Sequence, residues 1–167
     1  MENFRKLIDS TSPMAFSVAF RMLGDEDQAK DIVQDTMVTI WQKLHKIRSA
    51  EVYKTWMYRI VVNKCYDYLR QKKRKPEFNA DEKTWAYLSD TISEKADSGL
   101  ENKEIAAIIN NLTNRLSPKQ KTVFILSDIE QMTNDEICEI TGFSKSGVKA
   151  NLHYARKSIS EMVEKYL

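Results

Sequence analysis

Apolar residues recur at three- and four-residue spacing through most of the chain, and this helical period constrains the fold more than any other feature. One stripe comprises Ile32, Val33, Met37, Ile40, Trp41 and Leu44. Only four Gly and three Pro occur in 167 residues, which is too few for the many turns of a β-sandwich or β-barrel. The pattern therefore predicts an all-α fold.

Capping signals divide this pattern into separate helices. Ser12-Pro13 predicts the start of a helix, because Ser is a favoured cap and Pro a favoured first helical residue, and Gly24 predicts its end. Further helices are expected over residues 25–44 and 52–73. In the second half, Ser117-Pro118 repeats the starting signal.

Residues 133–160 have the pattern of a helix-turn-helix. Thr133 and Glu136 form a capping box, Gly142 provides the turn and Ser144 caps the last helix. The outward face of that helix comprises Ser146, Ala150, His153 and Lys157, flanked by Lys149 and Arg156. The second helix of such a motif enters the DNA major groove, where Lys and Arg reach phosphates or guanine edges. Helix pairs joined by Gly also occur in proteins that do not bind DNA.

Charge is distributed unevenly along the chain. Residues 1–75 hold 15 basic and 9 acidic residues (+6), residues 76–103 hold 3 and 7 (−4), and residues 104–167 hold 8 and 8 (0). The net charge of +2 therefore hides a basic first half, which is typical of nucleic-acid binding. A polar stretch as long as 76–103 is unusual inside one compact domain. We expect two small helical domains, 1–75 and 104–167, joined by an acidic linker.

The predicted helix over 52–73 mixes aromatic and basic side chains. Its aromatic residues are Tyr53, Trp56, Tyr58, Tyr66 and Tyr68, and its basic residues include Lys54, Arg59, Lys64 and Arg70. Cations attract phosphates and aromatic rings stack on exposed bases, a combination that suits single-stranded or melting DNA. The simpler interpretation is a buried aromatic helix with a solvated basic end.

The sequence offers no catalytic residue, cofactor or metal site. It has no Gly-rich phosphate loop and no HExxH motif, and neither His45 nor His153 lies beside a plausible nucleophile. Cys65 and Cys138 lack the spacing of a zinc site and are expected to be reduced and buried. Residues 1–10 do not form a signal peptide, and no apolar run is long enough for a membrane span. We expect a cytoplasmic protein that is not an enzyme.

With these motifs established, the chain resembles an extracytoplasmic-function (ECF) sigma factor of the sigma-70 family. The resemblance rests on Arg21–Met37 with Trp41, Thr55–Ile60 with Asn63, Asp67 and Arg70, Leu116–Gln120, Glu136-Ile137, Gly142–Ser144, Gly147–Lys149 and Leu152–Arg156. It implies a region 2 helical bundle over 1–75 and a region 4 helix-turn-helix over 104–167. The implied partners are the β′ clamp and β flap of core RNA polymerase, promoter DNA and an anti-sigma factor.

The resemblance also assigns residues to three binding surfaces. Core polymerase would be bound by Asp31, Gln34, Asp35 and Trp41. The −10 element would be bound by Tyr53, Lys54, Trp56, Arg59, Asn63 and Arg70, with a flipped base captured near the loop 47–54. The −35 element would be bound by Ser144, Lys145, Ser146, Lys149, His153, Arg156 and Lys157. The family often places Arg where this chain has Asn151 and Tyr154.

Two other interpretations stay open at this point. A stand-alone helix-turn-helix regulator with a helical sensor domain explains the second half, but it explains the aromatic and basic helix less well. A helical adaptor explains neither basic surface. We also consider that the acidic linker 76–103 imitates a nucleic-acid path and weakens DNA binding by the free protein.

Overall fold

A computed structural model describes residues 2–73, 108 and 110–166, and these residues form helices and short connections without any strand. The first half contains α1 (Glu2–Leu23), α2 (Glu26–Gln42), a 3-10 turn (Leu44–Lys46) and α3 (Ala50–Lys73). The second half contains helical residues 110–113, α4 (Pro118–Phe124), a π-helical segment (Ile125–Ile129), α5 (Asn134–Thr141) and α6 (Lys145–Tyr166). The all-α prediction is confirmed, while the proposed linker 76–103 lies outside the described residues.

Helices α1, α2 and α3 pack against one another as a three-helix bundle. Its core includes Val18, Met22, Ile40, Met57 and Val61, all fully buried. Asp25 caps α2 by accepting a hydrogen bond from the backbone N–H of Gln28 at 3.1 Å. This bond satisfies one of the backbone N–H groups that have no partner within the first turn of α2.

The predicted start of α1 at Ser12-Pro13 is wrong, because α1 begins at Glu2 and contains Pro13 in its interior. Pro cannot donate the helical hydrogen bond of its position. Burial of Phe4, whose ring packs on Trp41 of α2 with ring centroids 4.9 Å apart, holds the first turns in place. The hydroxyl of Thr11 also donates to the Leu7 carbonyl at 2.6 Å. Tertiary packing therefore overrides a local starting signal.

The predicted caps of the second half are confirmed. The Ser117 and Gln120 side chains cap α4 reciprocally, and Thr133 and Glu136 do the same for α5. Gly142 ends α5 in the left-handed conformation with φ of 77°, which glycine adopts at low cost. These caps fix the angle at which the two helices of the helix-turn-helix leave the turn.

Helices α4 and α5 both pack against α3, so the buried residues of the two halves form one continuous cluster. Ile125, Leu126 and Ile137 contribute to it from the second half and are fully buried. None of the helices described is long and apolar enough to cross a membrane. The close packing of the two halves was not predicted from the sequence, and it decides which side chains of α3 stay accessible.

Candidate nucleic-acid and polymerase interfaces

One exposed face of α2 carries all the residues predicted to bind core polymerase. These are Asp31, Gln34, Asp35 and Trp41, each exposed. Val38 lies on the same stripe and is 51% exposed, since residues three and four apart share a helix face. An apolar residue in an amphipathic helix is expected to face the core, so the residue type of Val38 does not indicate its exposure. The stripe joins an acidic end to an apolar end and suits a partner with basic and apolar groups.

Helix α6 buries one side and leaves a basic side exposed. Val148, Leu152 and Ala155 are buried, on the side opposite the outward face predicted from the sequence. The exposed residues include Lys145, Ser146, Lys149, His153, Arg156 and Lys157. A shallow groove of about 400 Å³ runs past Lys149, His153, Arg156 and Lys157. This placement brings most of the predicted −35 residues together on one surface.

Several of the predicted −35 residues have structural partners inside the protein, among them Lys145, whose ammonium lies 3.6 Å from the Asp135 carboxylate. The Ser144 hydroxyl accepts a hydrogen bond from the backbone N–H of Gly147 at 3.1 Å, so it caps α6. Arg156 donates from Nε and Nη2 to the Asp128 carboxylate at 2.9 and 2.5 Å. These hydrogen bonds raise the pKa of Arg156 above its ordinary value. Arg156 therefore links α6 to the π-helical segment. This contact depends on tertiary structure and was not predicted from the sequence.

The start of α3 borders a cleft of about 650 Å³. Its lining includes Lys43, Lys46, Trp56 and Arg59 from the first half and Glu139 from the second. The cleft adjoins the loop predicted to capture a flipped base, and it combines an aromatic ring with cations. Lys54 is exposed and lines a neighbouring cleft of about 410 Å³.

Tyr53 does not lie on this surface. It is fully buried, and its hydroxyl is 3.1 Å from the Thr11 hydroxyl of α1. The side chain of Tyr53, which was predicted to contact DNA, is therefore not accessible to DNA in this conformation. An aromatic residue among several on a helix cannot be assigned to core or surface without knowing its partner. The partner of Tyr53 is Thr11, 42 residues earlier in the chain.

Arg59 and Asn63 point at the end of α5. Arg59 donates from Nε and Nη2 to the Glu139 carbonyl oxygen at 3.2 and 3.0 Å. The Asn63 amide donates to the Ile140 carbonyl at 3.2 Å and to the Arg59 carbonyl at 2.7 Å. Two predicted −10 residues are therefore bound to the second half of the chain.

Farther along α3, Arg70 is exposed and lies 3.7 Å from the Asp67 carboxylate. Its guanidinium also lies 5.4 Å from the centre of the Tyr66 ring, within the range of a cation–π contact. Asp67 and Arg70, three residues apart, thus form an ion pair on the surface of α3. Both partners are exposed, so this pair contributes little to stability.

Neither cysteine forms a disulfide, and the described residues contain no cluster of His, Cys, Asp and Glu that could hold a metal ion. Cys65 is buried, and burial raises the pKa of its thiol to about 12. Cys138 is only half-buried, which corrects the expectation that both thiols are buried.

Comparison with known proteins gives the same order of regions. Residues 7–75 match the family described as Sigma-70 region 2, and residues 107–159 match the family described as Sigma-70, region 4. The RNA polymerase sigma factor SigV of Bacillus subtilis (strain 168) is 30% identical over 142 residues, which cover 85% of this chain and 80% of that protein. The ECF RNA polymerase sigma factor SigW of the same organism is 23% identical over 167 residues, with 96% and 88% covered.

Two solved structures have the same fold. One is the sigma factor RpoE in complex with the anti-sigma factor NepR from Bartonella quintana, with a TM-score of 0.70, 21% identity and 98% of each chain covered. The other is CnrH in complex with the cytosolic domain of CnrY, with a TM-score of 0.66, 22% identity, and 98% of this chain and 89% of that one covered. Both likenesses support the helical architecture described above.

Proposed function

Because the chain belongs to the ECF sigma factors of the sigma-70 family, we propose that it is a promoter-specificity subunit of bacterial RNA polymerase. It binds the core enzyme, recognises the −35 and −10 promoter elements and assists melting of the DNA. The observation that carries this function is the combination, in one chain, of two basic surfaces on α3 and α6 with an acidic and apolar stripe on α2. The family favours this function over a stand-alone helix-turn-helix regulator.

Each surface has a proposed part in initiation. Residues 1–75 act as region 2, which docks on the β′ clamp through the α2 stripe and binds the −10 element through α3. Residues 104–167 act as region 4, which contacts the β flap and reads the −35 element through α6. The exposed side chains proposed to meet DNA there are Lys145, Ser146, Lys149, His153 and Lys157. Ser144 and Arg156 are engaged in holding α6.

The same proposal fixes the class of protein and its partners. The chain determines which promoters are recognised, and the polymerase catalyses RNA synthesis, so the chain is not itself an enzyme. It acts in the cytoplasm, where polymerase and chromosomal DNA are found. An anti-sigma factor is the proposed regulatory partner, because both similar solved structures are complexes with such a factor or with a cytosolic domain.

The decisive experiment is run-off transcription with core polymerase on genomic DNA fragments. We expect new start sites with the wild-type chain, and their loss with Lys149→Glu, which reverses one charge in the α6 groove without touching the core. Core binding by Lys149→Glu should stay unchanged. Failure of the wild-type chain both to bind core and to direct any new start site would refute the function.

A further inference from the structure

We propose that Tyr154 and Ala150 of α6 select thymine in the −35 element, by packing on the C5-methyl group that thymine presents in the major groove. This inference rests on the proposed function and deepens it, because it names the base that one part of α6 recognises. Neither residue is among those predicted from the sequence to bind the −35 element. Together with Ser146 they form a surface that we call the α6 strip.

The α6 strip runs along one face of the helix. Ser146, Ala150 and Tyr154 follow one another at four-residue spacing, so they lie one turn apart on the same side. All three residues are exposed. Ala150 offers a methyl group and Tyr154 a ring, and apolar surface left in water contributes nothing to folding. Such surface stabilises only a complex that covers it.

Tyr154 points away from the core of the protein. Its side chain belongs to a residue that is 56% exposed, whereas the neighbouring residues Leu152 and Ala155 are buried. The Tyr154 ring meets the His153 ring edge-on, with centroids 5.5 Å apart and 68° between the ring planes. This contact keeps the aromatic ring beside the basic side of α6.

The charge around the α6 strip favours DNA as the partner that covers it. His153 follows Ala150 by three residues, Lys157 follows Tyr154 by three residues, and both are exposed. The same two side chains line the shallow groove that also contains Lys149. Residues 145–160 contain no acidic residue. Cations attract the phosphates of a duplex, and they would then hold the strip against the edges of its bases.

Two polar side chains near the strip are engaged inside the protein. The Asn151 amide donates a hydrogen bond to the Gly147 carbonyl at 2.7 Å. Arg156 is held by its two hydrogen bonds to the Asp128 carboxylate. These donors are therefore occupied when DNA arrives, and the exposed contact that the strip itself provides is apolar.

An apolar contact in the major groove distinguishes thymine from the other bases. Thymine carries a methyl group at C5, where cytosine carries only hydrogen, and the purines present hydrogen-bonding groups. Covering one methyl group raises affinity about fourfold. One helical turn of about 5.4 Å is close to the spacing of one or two base-pair steps of about 3.4 Å. Ala150 and Tyr154 should therefore meet the methyl groups of nearby base pairs.

The test uses holoenzyme assembled from the full chain and core polymerase, with a duplex promoter fragment recovered from the run-off experiment. Each thymine of the −35 element is replaced in turn by deoxyuridine, which pairs with adenine in the same way and lacks only the methyl group. Tyr154→Ala removes the ring, and Tyr154→Phe keeps it. Lys149→Ala is the matched control, because it truncates another exposed side chain of α6 that has no ring. Affinities are measured by competition at fixed salt.

We expect wild type and Tyr154→Phe to bind the deoxyuridine fragment about fourfold more weakly than the thymine fragment at one position. Tyr154→Ala should bind both fragments equally at that position, and Ala150→Gly should lose the discrimination at a nearby thymine. Lys149→Ala should weaken binding to both fragments by the same factor. Because each ratio compares two DNAs bound by one protein, a loss of stability does not imitate these results.

Equal binding of wild type to every deoxyuridine fragment would overturn the inference, and so would a −35 element without any A·T pair. Discrimination that persists in Tyr154→Ala would also overturn it, and weaker core binding by that variant would then assign the ring to a protein contact. Active wild-type holoenzyme without a methyl effect rejects this inference alone. Wild-type holoenzyme that directs no start site rejects the proposed function and the inference together.

Discussion

Lys121 is a buried lysine in α4, and we expect it to make the stability of the protein depend on pH in the alkaline range. The residue is 4% exposed, and its ammonium donates a hydrogen bond to the Asn110 side-chain oxygen at 2.7 Å. Burial, with the charge of Lys72 of α3 as a second cause, lowers the pKa of Lys121 from 10.5 to about 8. This neutral hydrogen-bond partner therefore does not compensate for removing the charge from water.

The sign of the effect follows from counting protons in the folded and unfolded states. Below pH 8 both states are protonated, and the cost of the buried charge is fully present. Between pH 8 and 10.5 the unfolded chain holds more protons, so the free energy of unfolding rises with pH. The fall in pKa from 10.5 to about 8, at about 1.4 kcal/mol for each pKa unit, corresponds to about 3 kcal/mol.

The assay is urea unfolding of wild type and Lys121→Met between about pH 7.5 and pH 10. Met has similar length and no charge. We expect wild type to gain about 2 kcal/mol relative to the variant over this interval, because most of the titration lies within it. Tyrosines and other lysines titrate in both proteins and cancel in the difference. Lys149→Met, at an exposed position of α6, should parallel wild type.

Parallel curves for wild type and Lys121→Met would refute the reasoning, because they would show that Lys121 titrates at the same pH in the folded and unfolded chains. A wild type that loses stability relative to the variant as pH rises would also refute it. That result would mean that the folded protein stabilises the ammonium.

Three further predictions address separate contacts. A double-mutant cycle of Arg156→Ala and Asp128→Ala in urea unfolding should give a coupling of about 0.5–1 kcal/mol, since the pair is bidentate but partly exposed; zero coupling would contradict the positioning role. Trp41→Ala should weaken core-polymerase binding about tenfold in a competition assay, as expected for an exposed aromatic anchor, and unchanged affinity would exclude it from that interface. In native protein a thiol reagent should modify Cys138 much faster than Cys65, whose pKa is about 12; equal rates would contradict this difference.

The parts of the fold that depend on local chemistry could be predicted from the sequence. Thr133 and Glu136 cap α5, and Gly142 ends it, as their residue types and spacing require. The buried stripe of α6 likewise follows from the helical period. Such features involve residues within one or two turns of each other, so the amino-acid order is sufficient to recognise them.

Features that depend on distant partners could not be predicted. Phe4 packs on Trp41 and so stabilises the part of α1 that precedes Pro13. The Tyr53 hydroxyl lies 3.1 Å from the Thr11 hydroxyl, a contact inside the core. The π-helical segment Ile125–Ile129 follows α4, and its backbone pairs the Glu130 N–H with the Ile125 carbonyl at 2.9 Å. Nothing in the local residue types distinguishes this segment from an ordinary helical turn. Its Asp128 nevertheless forms the ion pair with Arg156 of α6.

The zero net charge of the second half results from an uneven distribution of acidic and basic residues. Residues 104–167 contain eight basic and eight acidic residues, and five of the acids fall within 128–139. A net charge of zero therefore combines an acid-rich segment with a basic helix α6. Two ion pairs, Arg156–Asp128 and Lys145–Asp135, join them. A uniformly basic helix-turn-helix would lack the Glu130 carboxylate that pairs with Arg21 at 2.6 Å and would place like charges near the cations of α3. The same separation of charge that leaves α6 basic thus also places carboxylates of α5 beside Lys54 of α3, so both properties follow from one division at Gly142.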